Sequence, residues 1–217
     1  MNEKVGEVFA IAADNAPVPG CTISKAVHSG ANDVIYFSMA PNTDISAEIF
    51  PYHKLLIVAD GSVEVYGKDG FVRRLDAGEC IVTPTDTPVG MRTSESAVYT
   101  EITIRRNDTM NEAIKAGEVF ELAGLVPYAD GKIVNMDVAH NGKMKFVVMA
   151  FDEGTALSEH AAPGEALVFA LDGEGVIGYE GKDHPIKAGE SFHFAKAGLH
   201  SVRATKRFKM ALLLTLE

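Results

Sequence analysis

Short runs of β-branched and aromatic residues, cut by Gly, Pro and Asp at close intervals, recur along this chain and mark it as strand-forming. Ser62-Val63-Glu64-Val65-Tyr66 and Gly175-Val176-Ile177-Gly178-Tyr179 are two such runs. Each is closed by a turn-forming quartet, Gly67-Lys68-Asp69-Gly70 and Glu180-Gly181-Lys182-Asp183, so each predicts a hairpin. Further strands are predicted over 34–39, 55–58, 80–83, 98–104, 145–149, 166–171, 191–194 and 209–216. One helical turn is predicted at 110–115, capped by Asp108 or Thr109. The run Ala211-Leu212-Leu213-Leu214 is too apolar to stand in water and is expected to be buried.

The runs are organised by an internal repeat. Met1-Asn2-Glu3 with Gly6-Glu7-Val8-Phe9 returns as Met110-Asn111-Glu112 with Gly117-Glu118-Val119-Phe120. Met39-Ala40 returns as Met149-Ala150, Asp60-Gly61 as Asp172-Gly173, and Ala77-Gly78-Glu79 as Ala188-Gly189-Glu190. The order is kept and the offset stays between 109 and 112 residues (Met1 to Met110, Asp60 to Asp172). Solenoid units run about 20 to 50 residues, so this period describes a duplicated domain. The joint falls near Thr109, which predicts an all-β chain of two tandem jelly-roll barrels, residues 1–109 and 110–217.

Composition narrows the partners. Twenty Lys and Arg against 30 Asp and Glu give a net charge of −10, which excludes a phosphate backbone as the main partner and so argues against nucleic acid. No apolar stretch reaches the eighteen residues a membrane helix needs, and the first twenty residues lack a signal-peptide pattern; a cytoplasmic location is expected. Two cysteines, Cys21 and Cys80, are too few for a disulfide framework and are expected as buried free thiols. Phosphate-binding loops, nucleophile elbows and paired-cysteine motifs are missing from the sequence, and no catalytic nucleophile stands out.

From Glu159-His160-Ala161-Ala162-Pro163-Gly164-Glu165-Ala166 through Ala188-Gly189-Glu190 to Gly198-Leu199-His200, the C-terminal repeat resembles the two motifs of the cupin superfamily, G-x5-H-x-H-x3,4-E-x6-G and G-x5-P-x-G-x2-H. Gly154 and His160 match the start of the first motif, and Gly189 and His200 match the ends of the second. Taken over both halves, the resemblance implies a bicupin of RmlC-like, cupin-2-type barrels. It also implies a divalent transition metal such as Mn, Fe, Ni or Zn held by three His and one Glu, and pairing through sheet edges as a homodimer or an internal pseudo-dimer.

The departures fall on the ligands. Ala162 stands where the family has its second His and Ala166 where it has Glu, with Glu165 one position early; Ala195 and Ala197 replace Pro and Gly of the second motif. Glu165 can join His160 and His200 as a third metal ligand only if the Pro163-Gly164 turn re-aims it, because neighbouring residues of a strand face opposite ways. His193, between Phe192 and Phe194, faces either the barrel or the opposite side. The candidate pocket is therefore His160, Ala162, Ala166, His193 and His200.

In the N-terminal repeat the corresponding positions are Glu48, Phe50, His53 and Val89, so that half has no metal ligand set, and Phe50 and Val89 are expected to fill its barrel. A Glu–His contact across the central proline can form in either copy, Glu48 with His53 or His160 with Glu165. His28 and His140 are expected at hairpin ends and His184 in a loop. Three functions follow: small-molecule binding in the C-terminal barrel through His160 and His200, a metal-dependent dioxygenase, decarboxylase or isomerase acting on a small acid or sugar, or a structural or regulatory bicupin without turnover.

Overall fold

The computed structural model describes residues 1–216; the last residue of the C-terminal repeat, Glu217, lies outside them. The strands in chain order are β1 (Val8–Phe9), β2 (Thr22–His28), β3 (Val34–Met39), β4 (Thr43–Ile49), β5 (His53–Gly67), β6 (Val72–Asp76), β7 (Glu79–Val82), β8 (Pro88–Thr93), β9 (Ala97–Ile104) and β10 (Thr109–Met110). They continue with β11 (Val119–Glu121), β12 (Ile133–His140), β13 (Met144–Phe151), β14 (Ala156–Ala161), β15 (Glu165–Tyr179), β16 (Lys182–Lys187), β17 (Ser191–Phe194) and β18 (Leu199–Thr215). Helical structure among the described residues is confined to α1 (Ile11–Asp14) and two 3-10 turns at Lys68–Gly70 and Leu122–Gly124. The fold class is all-β.

The chain forms two compact units. One consists of Ile11–Glu121 with Asn2, and the other of Glu3–Ala10 and the chain from Leu122 onward, with Met1. The repeat joint near Thr109 is thus a joint in sequence, while each unit borrows a strand from beyond it. β11 completes the first unit by pairing with β7, Val119 opposite Ile81, and β1 completes the second by pairing with β17, Val8 opposite Phe192.

Within the first unit one layer runs β2-β3-β9-β5-β7-β11, and a second is made of β4, β8, β6 and the far half of β5. Within the second, one layer runs β12-β13-β18-β15-β17-β1, and the other is made of β14, β16 and the facing halves of β15 and β18. The strand order is the same in both. One long strand serves both layers because a bulge bends it: the register shifts between Val58 and Asp60 in β5 and between Ala170 and Asp172 in β15. Gly61 (φ +71°) and Gly173 (φ +72°) follow these shifts. A Cβ at either would stand 1.9 Å from the Ser96 carbonyl oxygen or 1.7 Å from that of Arg207, so only glycine fits. The runs 55–58 with 62–66, and 166–171 with 175–179, which sequence separates, are for this reason single bent strands.

Each unit has its own apolar interior. In the first it is built on Met39, Leu56, Val58, Val63, Ile81, Val89 and Tyr99; in the second on Phe151, Ala166, Val168, Ile177, Phe192, Phe194, Phe208 and Met210. The run 211–215 is buried or half-buried in β18, as its composition requires.

Three local expectations are corrected. The segment 110–115 is not helical: Met110 ends β10, and 111–115 is a loop with one turn that Asn111 closes, its side-chain oxygen accepting from the Ala113 amide at 3.0 Å. His184 lies in β16, an edge strand that pairs only with β15 and so tolerates Pro185. Cys80 is buried, but Cys21 is exposed in the turn before β2.

Candidate functional site

The bulged pairing of β14 with β18 sets His160 directly opposite His200. The imidazole centroids are 4.3 Å apart with 52° between the planes. Each ring is anchored locally: His160 Nδ1 lies 2.8 Å from the Ser158 carbonyl oxygen and His200 Nδ1 lies 3.0 Å from that of Gly198. A carbonyl only accepts, so Nδ1 carries the hydrogen in both rings. In the neutral state both Nε2 atoms are then lone-pair acceptors. Neither has a hydrogen-bond partner among the described residues.

His160 is exposed and His200 is 5% exposed. Burial holds the His200 pKa below the ordinary histidine value; the Gly198 carbonyl opposes the shift and the neighbouring His160 adds to it. At neutral pH His200 is an uncharged acceptor. Phe194 stacks on its ring, centroids 4.1 Å apart and planes within 25°, and Tyr179 lies beyond at 5.7 Å from Phe194. The loop that delivers His200 is tight. A Cβ on Gly198 would come within 2.6 Å of the Tyr179 ring, and Ala197 is held at φ +63°, where the family motif carries glycine.

Ala162 and Ala166 are buried at 6% and 1% exposure. Ala166 faces the interior among Phe192, Phe194 and Leu214, so methyl groups occupy positions where the resemblance implies ligands. Glu165 points the other way, as strand alternation demands. Its carboxylate takes the Met1 ammonium and lies 3.5 Å from His193 Nε2. His193 is fully buried on that same outer face, its Nδ1 3.1 Å from the Glu3 carbonyl oxygen. Desolvation lowers its pKa, against the pull of that carbonyl and of Glu165. The five-residue candidate pocket therefore divides: His160, Ala162, Ala166 and His200 are associated with the interior or its mouth, and His193 leaves with Glu165.

A metal at His160, His200 and Glu165 does not fit this arrangement. The donor set at the mouth is two imidazoles, and no group of three or more His, Cys, Asp or Glu placed to hold a metal ion occurs among the described residues.

In the N-terminal unit, Glu48 stands opposite Val89 in the same register that pairs His160 with His200. Val89 is core, but Phe50 is only half-buried and lies under the Lys54 ammonium, 3.9 Å from Nζ to the ring centroid, rather than filling the barrel. His53 Nδ1 lies 2.6 Å from the Thr83 carbonyl oxygen, so neither Glu–His contact across the proline forms. A pair that sequence reading missed sits nearby: Lys54 Nζ and Glu101 Oε1 are 3.2 Å apart, both largely buried. Its only sequence signal is a lone charge at an inward position of Ala97-Val98-Tyr99-Thr100-Glu101-Ile102, a run otherwise readable as buried strand.

Residues 147–216 match the Cupin domain family. Among solved structures, the chain is similar to a Cupin 2 conserved barrel domain protein from Leptotrichia buccalis, with 24% identity, 99% of both chains covered and a TM-score of 0.86. It is also similar to a salicylate 1,2-dioxygenase from Pseudaminobacter salicylatoxidans, at 10% identity over 96% of this chain and 83% of that one, TM-score 0.66. A mutant of the oxalate decarboxylase of Bacillus subtilis matches at 11% identity over 99% and 78%, TM-score 0.55. No curated protein matches the chain. The protein has the cupin fold, which it shares with this dioxygenase and this decarboxylase. No helix among the described residues is long and apolar enough to cross a membrane.

Proposed function

We propose that this is a duplicated, two-barrel cupin whose C-terminal unit binds a small molecule through His160 and His200, without a resident metal. The observation that carries the reading is the pair of Nε2 lone pairs, both fixed as acceptors by the Nδ1 contacts to Ser158 and Gly198. A site that offers two acceptors and no donor selects a ligand rich in N–H donors, so a primary ammonium is the natural occupant. The net charge of −10 favours the approach of a cation. Leu199, 45% exposed beside His200, offers an apolar surface for the rest of the ligand.

The test is a thermal-shift panel of small primary amines, amides and carboxylates against the parent and His160→Ala. His160 is exposed, so its removal spares the fold. A stabilising amine whose effect disappears in the variant supports the reading. Tight one-to-one binding of Ni or Zn by the parent, abolished by the same variant, replaces it with a metal site; carboxylates as the stabilising class overturn the acceptor argument.

A further inference from the structure

The N-terminal unit carries a polar cluster where the C-terminal unit has hydrocarbon. Tyr99 belongs to the interior core of the first unit, and alternation along β9 sets Glu101 and Thr103 on the same inward face. Tyr99, Glu101 and Thr103 stand opposite Val58, Leu56 and Lys54 of β5. The same three rungs in the other unit are Met210 with Ala170, Leu212 with Val168, and Leu214 with Ala166. One interior thus reads Lys54, Glu101, Tyr99 and Thr103 where the other reads Ala166, Leu212, Met210 and Leu214. The fold closes over apolar residues at these positions in its own second copy, so it does not need the polar set.

That set is costly to bury. Glu101 is 5% exposed with Lys54 as its one ion-pair partner among the described residues, and the fully buried hydroxyl of Tyr99 has no hydrogen-bond partner among them. Burial raises the pKa of both groups, and each charge or dipole is left short of the bonds it can make. We propose that the interior end of the N-terminal barrel is a binding site for a small uncharged polyol, held by the Tyr99 hydroxyl, the Glu101 carboxylate and the Lys54 ammonium.

Charge balance selects the class. Lys54 and Glu101 already neutralise each other, so a charged ligand brings an uncompensated charge into the interior. A hydroxyl both donates and accepts, which suits a phenol, a carboxylate and an ammonium side by side. The ring of Tyr99, stacked on Phe37 with centroids 5.1 Å apart, gives C–H groups a face to lie on. The end where Lys54 retains 14% of its side-chain exposure is the side of the cluster nearest solvent.

Ligand-observed NMR with glycerol, xylitol and glucose as neutral probes and lactate as the anionic one tests this on the full chain. A neutral probe binds the parent, Tyr99→Phe weakens it between about twofold and tenfold by removing one hydrogen bond, and Lys54→Met with Glu101→Leu abolishes it. Tyr99→Phe removes only an unpaired oxygen, so its melting temperature holds or rises and the loss cannot be ascribed to unfolding. Failure of all three neutral probes in large excess overturns the proposal. Preference for lactate, or binding that survives the double substitution, overturns it equally.

Discussion

Replacing Lys54 alone by Met leaves the Glu101 carboxylate without its counter-ion, and the structure sets the size of the effect. At 3.2 Å, with an effective dielectric of about 20, the pair attracts by about 5 kcal/mol. Taking the two charges out of water costs several kcal/mol per ion, so the pair as a whole contributes close to nothing. Breaking it is another matter: Lys54→Met should destabilise the unit by about 3 to 5 kcal/mol at pH 7. Lys54→Met with Glu101→Leu, which restores the hydrocarbon that Leu212 supplies in the other unit, should be neutral or more stable than the parent by about 1 to 4 kcal/mol.

The single variant also has a pH signature. Burial already raises the Glu101 pKa above its unfolded value, and removing Lys54 raises it further. A raised carboxyl pKa means that stability is fully present below the unfolded value near 4.5 and is lost as pH climbs through the folded one. The gap between Lys54→Met and the parent should therefore narrow as pH is lowered from 7 toward 4.5. The chain has no tryptophan, so urea unfolding is best followed by far-ultraviolet circular dichroism at several pH values. A double variant as unstable as the single one would refute the reasoning, because the pair would then be a requirement of the fold.

Phe194→Ala should cost about 3 to 5 kcal/mol, since the ring is 1% exposed and packs on His200, Phe192 and Tyr179; calorimetric melting measures the loss. His193 and His200 both have pKa values lowered by burial, so the unfolded chain takes up protons that the folded one refuses. Stability should be complete above the unfolded value near 6.5 and fall as pH drops below it, and a flat denaturation midpoint between pH 7.5 and 5.5 would count against both placements. Gly61→Ala and Gly173→Ala should each cost at least about 2 kcal/mol in a chemical melt, because positive φ and the carbonyls of Ser96 and Arg207 leave no room for a Cβ.

The repeat was legible because the residues that mark it are those the backbone dictates. Gly61 and Gly173 are forced by bulges, and the offset that aligns them also aligns Glu48 with His160, while one residue less aligns Val89 with His200 on the facing strand. The positions of His160 and His200 could be read from spacing, since their pairing is a matter of register. Orientation was harder. Alternation alone leaves two choices for His193, and what decides is which face of β17 carries Phe192 and Phe194 into the core. Glu165 stood among the metal candidates on the condition that the Pro163-Gly164 turn re-aimed it; the turn does not, and Glu165 faces Met1 and His193 as alternation along the strand requires. Lys54 and Glu101 were invisible for a different reason: a charge in a strand reads as solvent-facing unless its partner, some fifty residues away, is known to lie across the ladder.

The exchange of β1 and β11 also gives assembly a timetable. Val119 follows its partner Ile81 closely in synthesis, so the first unit can close soon after residue 121 emerges. Val8 must wait for Phe192, which at about 5 to 20 residues per second is a delay of roughly 10 to 40 seconds. During that interval the segment carrying Val8 has no strand to pair with. A β17 on a neighbouring nascent chain can capture it first, so crowded polysomes should yield strand-exchanged dimers that sparse ones do not.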